Sequence, residues 1–130
     1  MTKKQSAVYC SNRSAELADI ADRETYGLIY GHVAKHYKYQ TLVYTYVHVW
    51  IASKYNSQTG KVAQSNGEPG FNGDRNWKQP GFPTSQSTST ELVMRVRYLH
   101  TNDSGLLNYP IGKEFEASTV LCSIKLSSDL

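Results

Sequence analysis

Histidine is the first residue type to weigh for chemistry. His32 and His36 lie four apart and would share one face of a strand; with His48 they could supply three nitrogens to a zinc ion. No carboxylate of matching parity stands near enough to orient those rings, so ordinary half-exposed histidines are the preferred reading. Cys10 or Cys122 could pair with a histidine as a nucleophile, but neither has a supporting motif. The sequence carries no glycine-rich phosphate loop, no nucleophile elbow and no Cys-x-x-Cys pair, and its acidic residues are scattered. The expectation is a protein without catalysis, metal or cofactor.

A second set of residues points to binding. Side chains alternate across a strand, so parity separates its faces. Within 39–55 the odd positions include Val43, Val47, Val49 and Ile51, while the even ones include Tyr44, Tyr46, His48 and Trp50. Within 90–99, Leu92, Met94, Val96 and Tyr98 alternate with Glu91, Arg95 and Arg97. If these strands share a sheet, the aliphatic set lies inside. Tyr30, His32, His36, Tyr44, Tyr46, His48, Trp50, Arg95 and Arg97 then form an opposite face of rings and cations. Such a face suits single-stranded nucleic acid, with bases stacking on rings and phosphates meeting arginines. It also suits burial on both sides, as in a sandwich or subunit interface, or a surface that stacks on sugars.

The elements that must position these residues are mostly strands. At 130 residues the chain has the length of one domain, 1–130, and 12% aromatic content with ten tyrosines favours pleated sheet. We expect strands over 5–11, 26–38, 39–55 and 90–100; Gly27 and Gly31 bend or bulge the second. The segment 14–21 reads either as a short helix or as turn and strand, and 118–126 equally as strand or helix. Between them, 56–89 is a long Gly/Pro-rich loop in which 61–64 could add a short strand. It holds Pro-Gly-Phe twice, at 69–71 and 80–82, with Trp77 between. Two tight turns pinned by buried rings are preferred over a loop packed on a neighbouring subunit. The fold class is therefore mainly β, or α+β if the C-terminal segment is helical: an antiparallel sheet with one face covered by C-terminal helices or a partner subunit.

The net charge of +3 permits a polyanionic partner without demanding one. No stretch is apolar enough to span a bilayer, and the first residues lead into no apolar run, which predicts no secretory signal. Cys10 and Cys122 could form one bridge between the two ends of the chain, but in that setting two reduced thiols in a cytoplasm are the preferred reading.

In its order of segments the chain resembles the coat proteins of small single-stranded RNA bacteriophages. The resemblance rests on the strands at 26–38 and 39–55, the long loop, the run Ser89-Thr90-Glu91-Leu92-Val93-Met94-Arg95-Val96, then Thr101-Asn102-Asp103-Ser104, and an amphipathic end. It implies a self-assembling coat subunit forming homodimers and an icosahedral virion shell, assembled in host cytoplasm, with single-stranded RNA on the sheet face. RNA would then meet Tyr30, Tyr44, Tyr46, His48, Arg95 and Arg97, and Phe71, Trp77 and Phe82 would meet neighbouring subunits. Gly105, Pro110 and Gly112 stand against an unbroken helix from Asp103. The alternative is a carbohydrate- or ligand-binding β-sandwich without catalysis. It would use Tyr, Trp and the Pro-Gly-Phe loop, with Trp50 and Trp77 as the contacts to remove.

Overall fold

The computed structural model describes residues 1–37, 46–97, 104–115 and 117–123. Its helices come first in the chain. Helix α1 (Lys3–Ser11) starts at a capping box: Thr2 Oγ1 accepts from the Gln5 N–H, and the Gln5 side chain accepts from the Thr2 N–H. The segment was expected as a strand because Val8 and Tyr9 favour one. Both are exposed here, and the buried stripe is Lys3, Ser6 and Cys10, a helical spacing invisible to hydropathy. After β1 (Glu16–Leu17), helix α2 (Arg23–Tyr37) replaces the strand expected over 26–38. Asp22 starts it by accepting from both the N–H and the hydroxyl of Thr25, and Tyr26, Ile29 and Val33 form its buried stripe. The two glycines that suggested a bulge lie on its exposed side.

The sheet is built on β2 (Tyr46–Asn56) and β4 (Glu91–Arg97), paired antiparallel with Val47 opposite Val96, Val49 opposite Met94 and Ile51 opposite Leu92. Strand β3 (Lys61–Ala63) flanks β2 and β5 (Gly105–Tyr109) flanks β4, giving the order β3-β2-β4-β5. Strand β6 (Ser118–Thr119) runs parallel beside β2, and β7 (Cys122–Ser123) pairs with β1. The architecture is thus mainly antiparallel sheet with two helices.

Both faces of the sheet are covered. On one, Val47, Val49, Ile51, Leu92, Met94 and Val96 pack with α2 and with Phe71 and Trp77, as the parity reading requires. On the other, Trp50, Val93 and Leu107 pack with Cys10, Leu17 and Phe115. The cover does not come from C-terminal helices: among the described residues the C-terminal part is strand, and β5 occupies the place where a helix from Asp103 was expected. Tyr44, Val43 and Tyr98, and 101–103 and 124–130, lie outside the described residues. The cysteines are not free thiols. Cys10 and Cys122 form a disulfide that ties α1 to β7.

Candidate functional site

Between β3 and β4 the chain passes through the core before it reaches the surface. Phe71 is buried, and its N–H donates to the Ile20 carbonyl at 3.0 Å. Trp77 is buried too, its indole donating to the Asn72 carbonyl at 2.9 Å and its ring meeting Tyr55 edge-on. Gly73, at φ 88°, is required here: a Cβ would lie 2.1 Å from the Trp77 indole. The Lys78 N–H then donates to the Leu106 carbonyl, which lays the chain beside β5.

Beyond that anchor the chain emerges as Gln79-Pro80-Gly81-Phe82-Pro83-Thr84, with cis peptide bonds before both prolines. Gly81 takes φ 102°, and the Gln79 amide donates to the Phe82 carbonyl at 3.0 Å. Asn108, 1% exposed, holds the far end. Its Oδ1 accepts from the Thr84 N–H at 2.8 Å, while its Nδ2 donates to the carbonyls of Thr84 and Ser89 at 3.1 and 3.0 Å. A buried amide fully engaged in this way fixes a loop as a strand neighbour would. What it presents is a small aromatic rim. Half-buried Phe82 packs on half-buried Tyr109 at 5.6 Å, Tyr109 meets Phe115 edge-on, and the Lys113 ammonium lies 5.3 Å from the Tyr109 and Phe115 ring centres. Exposed rings beside amide, hydroxyl and ammonium groups can take the apolar face of a polyol and hydrogen-bond its edge.

Phe115 links this rim to the buried polar group of the sheet. Its ring stacks on His48 at 3.9 Å, and His48 Nε2 accepts from Arg95 Nε at 3.0 Å. The other ring nitrogen faces the Ala117 carbonyl at 3.3 Å, so Nδ1 carries the proton. Burial, with the positive charge of Arg95, holds the His48 pKa down at about 4. A neutral ring that accepts from an arginine has no role left as a base.

A cleft of about 1150 Å³ lies elsewhere, between α1, Ala52 and Ile111. Its ionic floor is already paired: Lys3 bonds Glu91 at 3.0 Å, with Lys54 at 3.9 Å. Burial pushes the Glu91 carboxyl up, but hydrogen bonds from Thr90 and Lys3 and the charges of Lys3 and Lys54 outweigh it and hold the group below its ordinary range.

The residues singled out from sequence do not converge on one surface. Tyr30 lies on α2, stacked on Tyr26 and packed against the aliphatic face of the sheet, opposite the face that carries His48. His48 is buried, Tyr46 and Arg95 are half-buried beside it with the guanidinium 5.3 Å from the Tyr46 ring, and Arg97 is half-buried opposite Tyr46. Trp50 is 0% exposed and donates to the Met1 carbonyl, so neither it nor Trp77 can stack on a ligand. Phe71 and Trp77 belong to the chain's own core, and of that loop group Phe82 alone reaches the surface. His32 and His36 stack on each other on α2 while His48 sits in the sheet; among the described residues no three His, Cys, Asp or Glu side chains converge on a metal position. Asn108, Tyr109 and Lys113 escaped the sequence reading. Their signal was present: two leucines, then turn residues Pro110 and Gly112, mark a short strand where the coat resemblance put a helix.

No family model matches the chain, and no curated protein does. Solved structures do. The mouse scavenger receptor C-type lectin carbohydrate-recognition domain superposes at TM-score 0.53 with 18% identity, covering 86% of this chain and 73% of that one. TC14, a C-type lectin from the tunicate Polyandrocarpa misakiensis, gives 0.54 and 16%, covering 87% and 83%. SPL-1, in a complex with GlcNAc, gives 0.52 and 16%, covering 83% and 69%. The fold is theirs.

The C-type lectin fold overturns the phage coat resemblance, which rested on segment order and mistook α2 for a strand. The virion shell, the host-cytoplasm setting and the genomic RNA go with it. Part of the face assigned to RNA is covered: Cys10, Leu17 and Phe115 pack over Trp50 and Val93. No described helix is long and apolar enough to cross a membrane.

Proposed function

We propose that the chain is a single non-catalytic carbohydrate-binding domain, working in an oxidising compartment or outside the cell. The observation that carries this reading is the fold shared with a carbohydrate-recognition domain and with a protein solved with GlcNAc. The disulfide supports the compartment, since such bonds persist where thiols are not kept reduced. The lack of catalysis follows the same reading, and the pairing of His48 with Arg95 commits the one buried histidine among the described residues to structure. The binding surface is the rim of Phe82, Tyr109, Lys113, Gln79 and Thr84, where rings take a sugar's C–H face and polar groups take its hydroxyls.

A glycan array with the oxidised chain is the test. Binding to a defined glycan set is expected, weakened about tenfold or more by Phe82→Ala or Tyr109→Ala, equivalent to roughly 1.4 kcal/mol. A folded chain that ignores every glycan overturns the reading; binding that is indifferent to both substitutions moves the site elsewhere.

A further inference from the structure

A second cavity, about 430 Å³, opens between α2 and the turn at Asp74–Asn76. That volume is in the range of small-ligand sites. One wall is aromatic: Tyr26 and Tyr30 stack at 6.1 Å, one turn apart on α2. The other walls are Arg23, Arg75 and Asn76. Among the described residues, Arg75, the Asn76 side chain and the two tyrosine hydroxyls make no hydrogen bond or ion pair. Arg23 meets Asp74 at 3.2 Å, but both side chains are about two-thirds exposed, so water and ions compete for the pair and it contributes little. Two guanidiniums against one carboxylate leave the cavity positive.

Its geometry is also unusual. Asp74 sits at φ 45°, the left-handed region that non-glycine residues seldom adopt, directly after Gly73 at φ 88°. Gly73 turns there to clear the Trp77 indole, so the core residue that anchors the loop also swings Arg75 and Asn76 onto α2. A cavity with a ring wall, a planar cation and an uncommitted amide fits a flat, hydroxylated ligand with a delocalised negative charge. A guanidinium fork matches a carboxylate or sulfate ester by two parallel hydrogen bonds.

We propose that this cavity is a second binding site, selective for an acidic sugar, with the sugar's anionic group on Arg75 and its ring against Tyr30. It goes beyond the rim already described and does not share residues with it. Ser104, which lines the cavity, and Tyr109, which lines the rim, are the two ends of one strand edge, roughly 17 Å apart at about 3.4 Å per residue.

The test is titration of the oxidised chain with glucuronate, glucose 6-sulfate, glucose and inorganic sulfate, followed by calorimetry or amide shifts. The first two are expected to bind and to shift amides around 73–76 and 26–30, with glucose at least tenfold weaker. Arg75→Gln should lower glucuronate affinity at least tenfold with an unchanged melting temperature, and Arg75→Lys should restore part of it. Phe82→Ala should leave it unchanged, which separates this site from the rim. Inorganic sulfate binding as tightly as the sugars overturns the proposal, because the ring wall would then contribute nothing. No binding by either acidic sugar also overturns it, while the glycan array with the Phe82 and Tyr109 variants still decides the rim.

Discussion

The two faces of the central sheet solve the same problem with different chemistry. Toward α2 the contacts are aliphatic: Val49 on Met94, Ile51 on Leu92, Val47 on Val96, all nearly sealed from water. Toward α1 the same two strands present His48 opposite Arg95 and Trp50 opposite Val93, and each polar atom of that face must find a partner. His48 finds Arg95 and Ala117; Trp50 finds the Met1 carbonyl. The aliphatic face is tolerant of pH and defined by shape. The mixed face depends on protonation, on hydrogen bonds and on a covalent tie. An apolar pattern on one side of a strand thus says little about whether its other side is open.

The contrast can be broken at several points. Removing the disulfide with Cys10→Ser and Cys122→Ser should cost most. The closed loop spans a separation of 112 residues, and chain-entropy reasoning puts the loss near ~4–5 kcal/mol, read from denaturant midpoints under identical conditions. On the aliphatic face, Met94→Ala should cost about 2–5 kcal/mol by leaving a cavity between β4 and α2, with no change in pH dependence.

The mixed face should reveal itself in acid. The folded His48 is held at about 4 against 6.5 unfolded, so between those values the unfolded chain binds a proton that the folded chain refuses. Stability should then fall as pH drops through that window, by up to about 3 kcal/mol, and His48→Gln should flatten the curve. Glu91, also lowered by folding, adds to the acid loss in the same direction. Asn108→Ala should cost about 1–3 kcal/mol by stranding the Thr84 N–H and the Ser89 carbonyl, and should weaken glycan binding beyond what stability explains. The smallest effect belongs to Phe82→Ala. A half-exposed ring contributes only about 1 kcal/mol to stability, so there the loss should appear in binding.

Sequence alone resolved the two central strands and the aliphatic face, because Val, Ile, Leu and Met at alternate positions of 47–51 and 92–96 leave little choice of period. It failed at both helices. Their signals are caps and polar or glycine-broken stripes: Thr2 with Gln5, Asp22 with Thr25, and Lys3, Ser6 and Cys10 facing inward. The repeated Pro-Gly-Phe triplet shows a second limit. At Gly70 an added Cβ would touch Val62 at 3.0 Å and the Ile20 carbonyl at 3.2 Å, and Phe71 is sunk in the core. At Gly81 it would meet nothing within 4 Å, and Phe82 looks outward. Identical triplets take opposite roles because their surroundings come from segments distant in sequence. The bridge between Cys10 and Cys122 could be named from sequence but not preferred on the same account, since only the fold brings α1 to β7.

The Trp77 anchor and the Asn108 clamp leave the residues between them, Phe82 apart, almost without packing duties. Pro80, Gly81 and Pro83 are exposed, so varying those positions together with Gln79, while keeping Phe82 on the core, would alter the loop's outward chemistry on the same scaffold. A display library built on those four positions is thus a route to new recognition specificities from an unchanged core.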